Sequence, residues 1–157
     1  HARETADCLN RIDPDFIRLR TLAIPNHTEL YQDFAAGNFE KLTDREMAEE
    51  ILLFLEHLEG ITSTVISDHI LNLFQEVEGR LPGDQAAMTG VIREFLAMSP
   101  EDQMLYQVGR RLGLFSRLSD MTGSPARRAQ AESTCQLYGI HPGNVDRTID
   151  ELMKRFI

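Results

Sequence analysis

A chain of 157 residues with 42% apolar side chains is the size of one ordinary domain and can fill one sizeable core without disulfide support. Its 16 basic against 25 acidic side chains, a formal net charge of −9, exclude a surface broadly attractive to nucleic acid or anionic lipid. The longest apolar run, Ile51-Leu52-Leu53-Phe54-Leu55, falls far short of the roughly twenty residues that cross a bilayer.

The charge is unevenly spread: residues 1–100 carry 8 basic and 18 acidic side chains, residues 101–157 carry 8 and 7. Different partners are therefore expected for body and tail. The two cysteines, Cys8 and Cys135, have no Cys-x-x-Cys spacing and read as buried, reduced thiols, which points to the cytoplasm. The opening His1-Ala2-Arg3-Glu4-Thr5 has neither an apolar signal core nor a starting methionine and reads as a chain entered inside a longer polypeptide.

Ala6, Leu9 and Ile12 repeat at helical spacing up to Asp13-Pro14, which stops a helix. Phe16 to Leu22 then alternates with a period of two, predicting a strand. Thr28 caps a short helix to Ala36, ended by Gly37. Thr43-Asp44-Arg45-Glu46 is a capping box, followed by an apolar stripe of Met47, Ile51, Phe54, Leu55 and Leu58 that is expected to be buried. Arg45, Glu49 and Glu56 occupy the solvated face.

Thr62 to Ser67 is short and β-branched, a second strand, and residues 69–78 are read as helical. Gly79-Arg80-Leu81-Pro82-Gly83-Asp84 is turn chemistry. Met88, Val91, Ile92, Phe95 and Leu96 mark another helix, and Ser99-Pro100 start the next, with Met104, Leu105, Val108 and Leu112 on its core face. Residues 1–115 form the body, 116–125 a connector and 126–157 a terminal helical pair, with helices over 126–138 and 143–156. Val145, Ile149, Leu152, Met153 and Phe156 share a face of the second.

Phosphate cradles, zinc sites and nucleophile motifs need particular residues at fixed spacing, and none stands in the sequence. Glu76 and Glu78 are two apart and diverge on a helix, and the five histidines are scattered. Two clusters remain, Arg18 with Arg20, and Ser67-Asp68-His69 with Asn72. Each lies near the C-terminal end of a predicted strand, where parallel α/β folds place ligand sites. Two arginines on one strand face suit a carboxylate or phosphate; the alternatives are ion pairs for the arginines, a helix cap for Asp68 and simple packing for His69.

Asp13-Pro14-Asp15-Phe16-Ile17-Arg18-Leu19-Arg20-Thr21-Leu22, Ser67-Asp68-His69-Ile70-Leu71-Asn72-Leu73 and Glu76-Val77-Glu78-Gly79 resemble the C-terminal third of radical S-adenosylmethionine proteins, the iron–sulfur oxidoreductases related to oxygen-independent coproporphyrinogen oxidase. The resemblance runs over about residues 2–113. The elements above make the chain mainly α with a few short strands, and the resemblance implies a helical, bundle-like C-terminal portion attached to the end of a partial (β/α) barrel. It also implies a parent enzyme that uses a 4Fe-4S cluster and S-adenosylmethionine. The family's Cys-x-x-x-Cys-x-x-Cys is missing here, so this chain is expected to hold no cofactor and to perform no catalysis alone.

The resulting expectation is a non-catalytic portion that completes the barrel for an upstream catalytic portion, with Arg18, Arg20, Asp68, His69 and Asn72 as substrate-binding candidates and no catalytic or metal residue. One alternative is a helix-turn-helix-like module around Gly139, binding a protein partner or, on Arg147, Lys154 and Arg155, DNA; Asp146, Asp150 and Glu151 offset that charge, so nucleic acid is not the expected partner. Another is a structural helical domain that pairs into a homodimer. No membrane partner is expected.

Overall fold

The computed structural model describes residues 1–154. Among them the chain is mainly helical, with one three-stranded sheet. Helix α1 (Ala2–Ile12) buries Ala2 and Ala6 and ends at Asp13, a left-handed residue whose carboxylate accepts the Thr62 N–H at 2.7 Å. This links the first turn to the approach of β2. Cys8, expected inside, is exposed, because it sits about 200° around α1 from Ala6; Cys135 is buried as expected.

Strand β1 (Phe16–Arg18) runs parallel to β2 (Thr64–Ile66), with Ile17 opposite Val65. Between them lie α2 (Glu29–Ala35), capped by Thr28, and α3 (Asp44–Glu56), whose capping box between Thr43 and Glu46 is present. β1 is shorter than the predicted Phe16–Leu22. Past Arg18 the chain remains beside the core, but the Asn72 amide replaces a partner strand, accepting the Thr21 N–H at 3.0 Å and donating to the Leu19 carbonyl at 3.0 Å.

Residues 69–78 form turns rather than the expected helix. Leu71, Asn72, Leu73 and Phe74 are all buried, and a helix turns at least one of four consecutive residues outward unless it is enclosed on every side. The Phe74 and Leu73 carbonyls are instead taken by Ser67 Oγ at 2.6 Å and Tyr106 Oη at 3.1 Å. The segment read as a turn after it contains β3 (Gly79–Arg80), antiparallel to β2 and on the side away from β1.

Helix α4 (Gln85–Ala97) packs on α3, and α5 (Pro100–Arg111), capped by Ser99, passes through the centre. From Leu105 to Arg111 every residue of α5 is buried, so the expected one-sided core face gives way to a helix enclosed all round. Tyr106 is its hub: its ring centroid lies 6.1 Å from Phe74, 5.9 Å from Phe95 and 6.3 Å from Phe115. Gly109 admits the Phe115 ring, since a Cβ there would stand 2.2 Å from the Phe115 edge.

Two side-chain amides finish neighbouring helices. Gln85 Nε2 donates to the Leu55 and Leu58 carbonyls behind α3, and Gln103 Nε2 to the Phe95 and Leu96 carbonyls behind α4. The short α6 (Asp120–Gly123) interrupts the expected connector and buries Met121, with Leu118 just before it. The last helices, α7 (Pro125–Tyr138) and α8 (Val145–Met153), both lie against α5. Arg155 and Phe156, assigned above to the final helix, lie outside the described residues. No described helix is long and apolar enough to cross a membrane.

Candidate functional site

β1 is the last strand on its side of the sheet. Leu19 N–H donates to the Ile66 carbonyl, and the Leu19 carbonyl and Thr21 N–H are bound by Asn72, so these groups all point toward β2 and its following loop. Peptide groups alternate along an extended chain, which turns those of Phe16, Arg18 and Arg20 to the open edge. A groove of about 380 Å³ runs along that edge between α1 and α3, with Leu9, Ile17, Met47, Ile51 and Phe54 in its apolar lining.

Met47 and Ile51 were expected in the core. They are half-buried in the groove wall, whereas Phe54, which also reaches the groove, and Leu55 and Leu58 of the same stripe are buried.

Arg18 and Arg20 both line the groove. Arg18 Nη2 lies 3.2 Å from Asp68 Oδ2, with both side chains about half exposed at 49% and 51%. Arg20 is exposed and has no ion-pair partner among the described residues. Arg18 and Asp68 thus offset each other, and Arg20, without an ion pair, shares the groove with Glu50, whose Oε1 accepts the Ala2 N–H at 3.1 Å; the planar guanidinium of Arg20 suits a carboxylate or phosphate.

Asn72 also lines the groove, and its side-chain amide is at the same time engaged within the fold. Its Oδ1 accepts from the Thr21 N–H and hydroxyl, and its Nδ2 donates to the Leu19 carbonyl and to Ser67 Oγ. The amide is fully engaged in joining the extension of β1 to the loop after β2. His69 is half-buried with Nδ1 lacking a partner, and its carbonyl accepts the Asn72 N–H at 2.9 Å.

Sequence reasoning missed the ionic cluster inside the fold. Arg111 Nη2 donates to Asp44 Oδ1 at 2.7 Å, and burial pushes the Asp44 carboxyl above the usual carboxylate range despite that partner. Arg110 is buried beside it, and its Nη2 reaches the Ile70 carbonyl at only 3.5 Å. Asp44 Oδ2, Arg110 Nε and both Nε and Nη1 of Arg111 lack protein partners. In the sequence Asp44 reads only as part of a capping box and Arg110 and Arg111 carry no motif; the available signal was Tyr106, an aromatic residue that falls off the apolar face of α5.

No group of three or more His, Cys, Asp or Glu among the described residues could hold a metal ion, and Cys8 is exposed while Cys135 is buried. The chain's own donor set does not fit an iron–sulfur cluster, which takes three thiolates to anchor it and leave one iron free for S-adenosylmethionine. On α8, Val145, Ile149 and Met153 are buried, and Lys154 is paired with Glu151 at 2.7 Å, which gives that helix a mixed rather than a basic outer face. Compared with protein-family models, curated proteins and solved structures, the chain matches none.

Proposed function

We propose that the chain is the C-terminal, non-catalytic portion of a radical S-adenosylmethionine iron–sulfur oxidoreductase, and that it completes a partial barrel for an upstream catalytic portion. The observation that carries this reading is the parallel β1–β2 pair, joined through helices, with the outer edge of β1 open and Arg18 and Arg20 at its C-terminal end. A parallel strand from the upstream portion, followed by α1 as its crossover helix, fits beside β1 in the manner of a βαβ unit. Arg20 then faces the substrate with its guanidinium free for an acidic group, while Arg18 and Asp68 shape the rim and Asn72 holds the loop beneath.

The cluster and S-adenosylmethionine belong to the upstream portion in this reading, and the whole enzyme works in the cytoplasm. Radical chemistry is supplied by those groups; the residues of this chain bind and orient. The test is to express the complete reading frame with Arg20→Lys and measure turnover beside thermal stability. A selective loss of turnover supports the reading, and unchanged turnover removes Arg20 from the site.

A further inference from the structure

A second cleft, of about 350 Å³, lies on another part of the surface, where α2 meets α8. Its volume falls at the lower end of small-molecule clefts, roughly 300 to 1,000 Å³. Ile24 and Met153, both buried, contribute apolar lining, and Tyr31 and Phe34 contribute two rings from α2. Tyr31 and Phe34 are three residues apart, so they stand on one face of that helix and can border the same planar guest.

The polar part of the cleft has a definite charge balance. Lys41 Nζ is paired with Asp150 Oδ1, and Lys154 Nζ with Glu151 Oε1 at 2.7 Å. Both carboxylates are thereby engaged. Arg147, which also lines the cleft, forms no ion pair or hydrogen bond among the described residues. One uncompensated guanidinium thus faces an aromatic and aliphatic recess in a chain whose net charge is −9.

We infer that this cleft binds a small planar organic monoanion, with an aromatic body against Tyr31, Phe34 and Ile24 and one carboxylate or sulfonate on Arg147. Two cations already carry their own counter-charges, so a monoanion completes the balance, whereas a dianion leaves one charge unmatched. The apolar lining supplies affinity for the body, and the guanidinium orients the charged end. The site is separate from the groove at β1 and does not depend on the barrel reading.

The probe is 8-anilinonaphthalene-1-sulfonate, followed by fluorescence, beside its uncharged relative N-phenyl-1-naphthylamine. The proteins are the unmodified chain, Arg147→Gln, Phe34→Ser and, as a control on a distant exposed apolar residue, Leu137→Ser. Saturable binding at one site is expected. Arg147→Gln should weaken the sulfonate about tenfold and leave the neutral probe unchanged, as loss of a charge-assisted contact requires.

Phe34→Ser should weaken both probes, and Leu137→Ser neither. Thermal unfolding of each variant confirms that it is folded; should Arg147→Gln not fold, Arg147→Met takes its place with the same expected selective loss of the sulfonate. Non-saturable binding, equal sulfonate affinity in folded Arg147→Gln, or a loss caused by Leu137→Ser instead overturns the inference.

Discussion

Arg111 and Asp44 meet at 2.7 Å with side chains only 1% and 7% exposed, joining the last turn of α5 to the first turn of α3. Water screens this pair little, and removal of one partner leaves a charge stranded in the core. Arg111→Met and Asp44→Leu should each cost about 3 to 5 kcal/mol, while the double variant recovers most of that loss. Urea unfolding of the four proteins gives the cycle; additive losses would mean that the two side chains do not depend on each other.

The apolar stripe of α3 divides into a core half and a groove half. Leu55→Ala should cost about 2 to 5 kcal/mol, because Leu55 is fully enclosed. Met47→Ala, at the half-buried edge of the groove, should cost less than about half as much. Equal losses would place Met47 in the core after all.

Asn72 should behave as a fold residue. Three of its four hydrogen bonds bridge chain segments some fifty residues apart, so Asn72→Ala should lower stability by about 2 to 4 kcal/mol and leave the Thr21 N–H and Leu19 carbonyl unpaired. A ligand-facing amide without structural duty would leave the unfolding midpoint where it was.

Acid sensitivity follows from two capped turns. Glu46 sits below its ordinary value of 4.5 because the Thr43 N–H and then the Thr43 hydroxyl bond to its carboxylate, and Asp120 below 3.8 because the N–H groups of Ser116 and Arg117 bond to its own. Each group binds fewer protons folded than unfolded as pH falls through this range, so its contribution is complete above the ordinary carboxylate value and is lost on descent through the folded one. Glu46→Gln and Asp120→Asn should each flatten the acid limb of stability against pH. Glu46 is exposed and Asp120 only half-buried, so salt and solvent keep the effect small; an acid limb unchanged in the double variant would contradict the assignment.

Local signals were legible where a side chain acts on its own neighbourhood. The Thr43–Glu46 box, the Ser99-Pro100 start and the Gly37 and Gly139 stops need only residues within a turn, and each appears as read. The segment 69–78 was misread because its apolar residues are compatible with a helix, and only the remote Thr21, Leu19 and Tyr106 decide otherwise. β3 is two residues long and exists because β2 offers it an edge.

The same distinction governs the site. Period-two spacing marked Arg18 and Arg20, and both line the groove, but that Asp68 pairs with Arg18 and Asn72 ties down the loop depends on tertiary position. The Asp44–Arg111 pair gave no local sign, since each residue is also an ordinary choice for its helix terminus.

The central claim is tested most directly on the product of the complete reading frame, purified and reconstituted without oxygen, by measuring iron, sulfide and the reductive cleavage of S-adenosylmethionine to 5′-deoxyadenosine. The account predicts a cluster bound by the upstream portion and cleavage that requires the present chain in the same polypeptide. A full-length product that binds neither iron nor S-adenosylmethionine contradicts it.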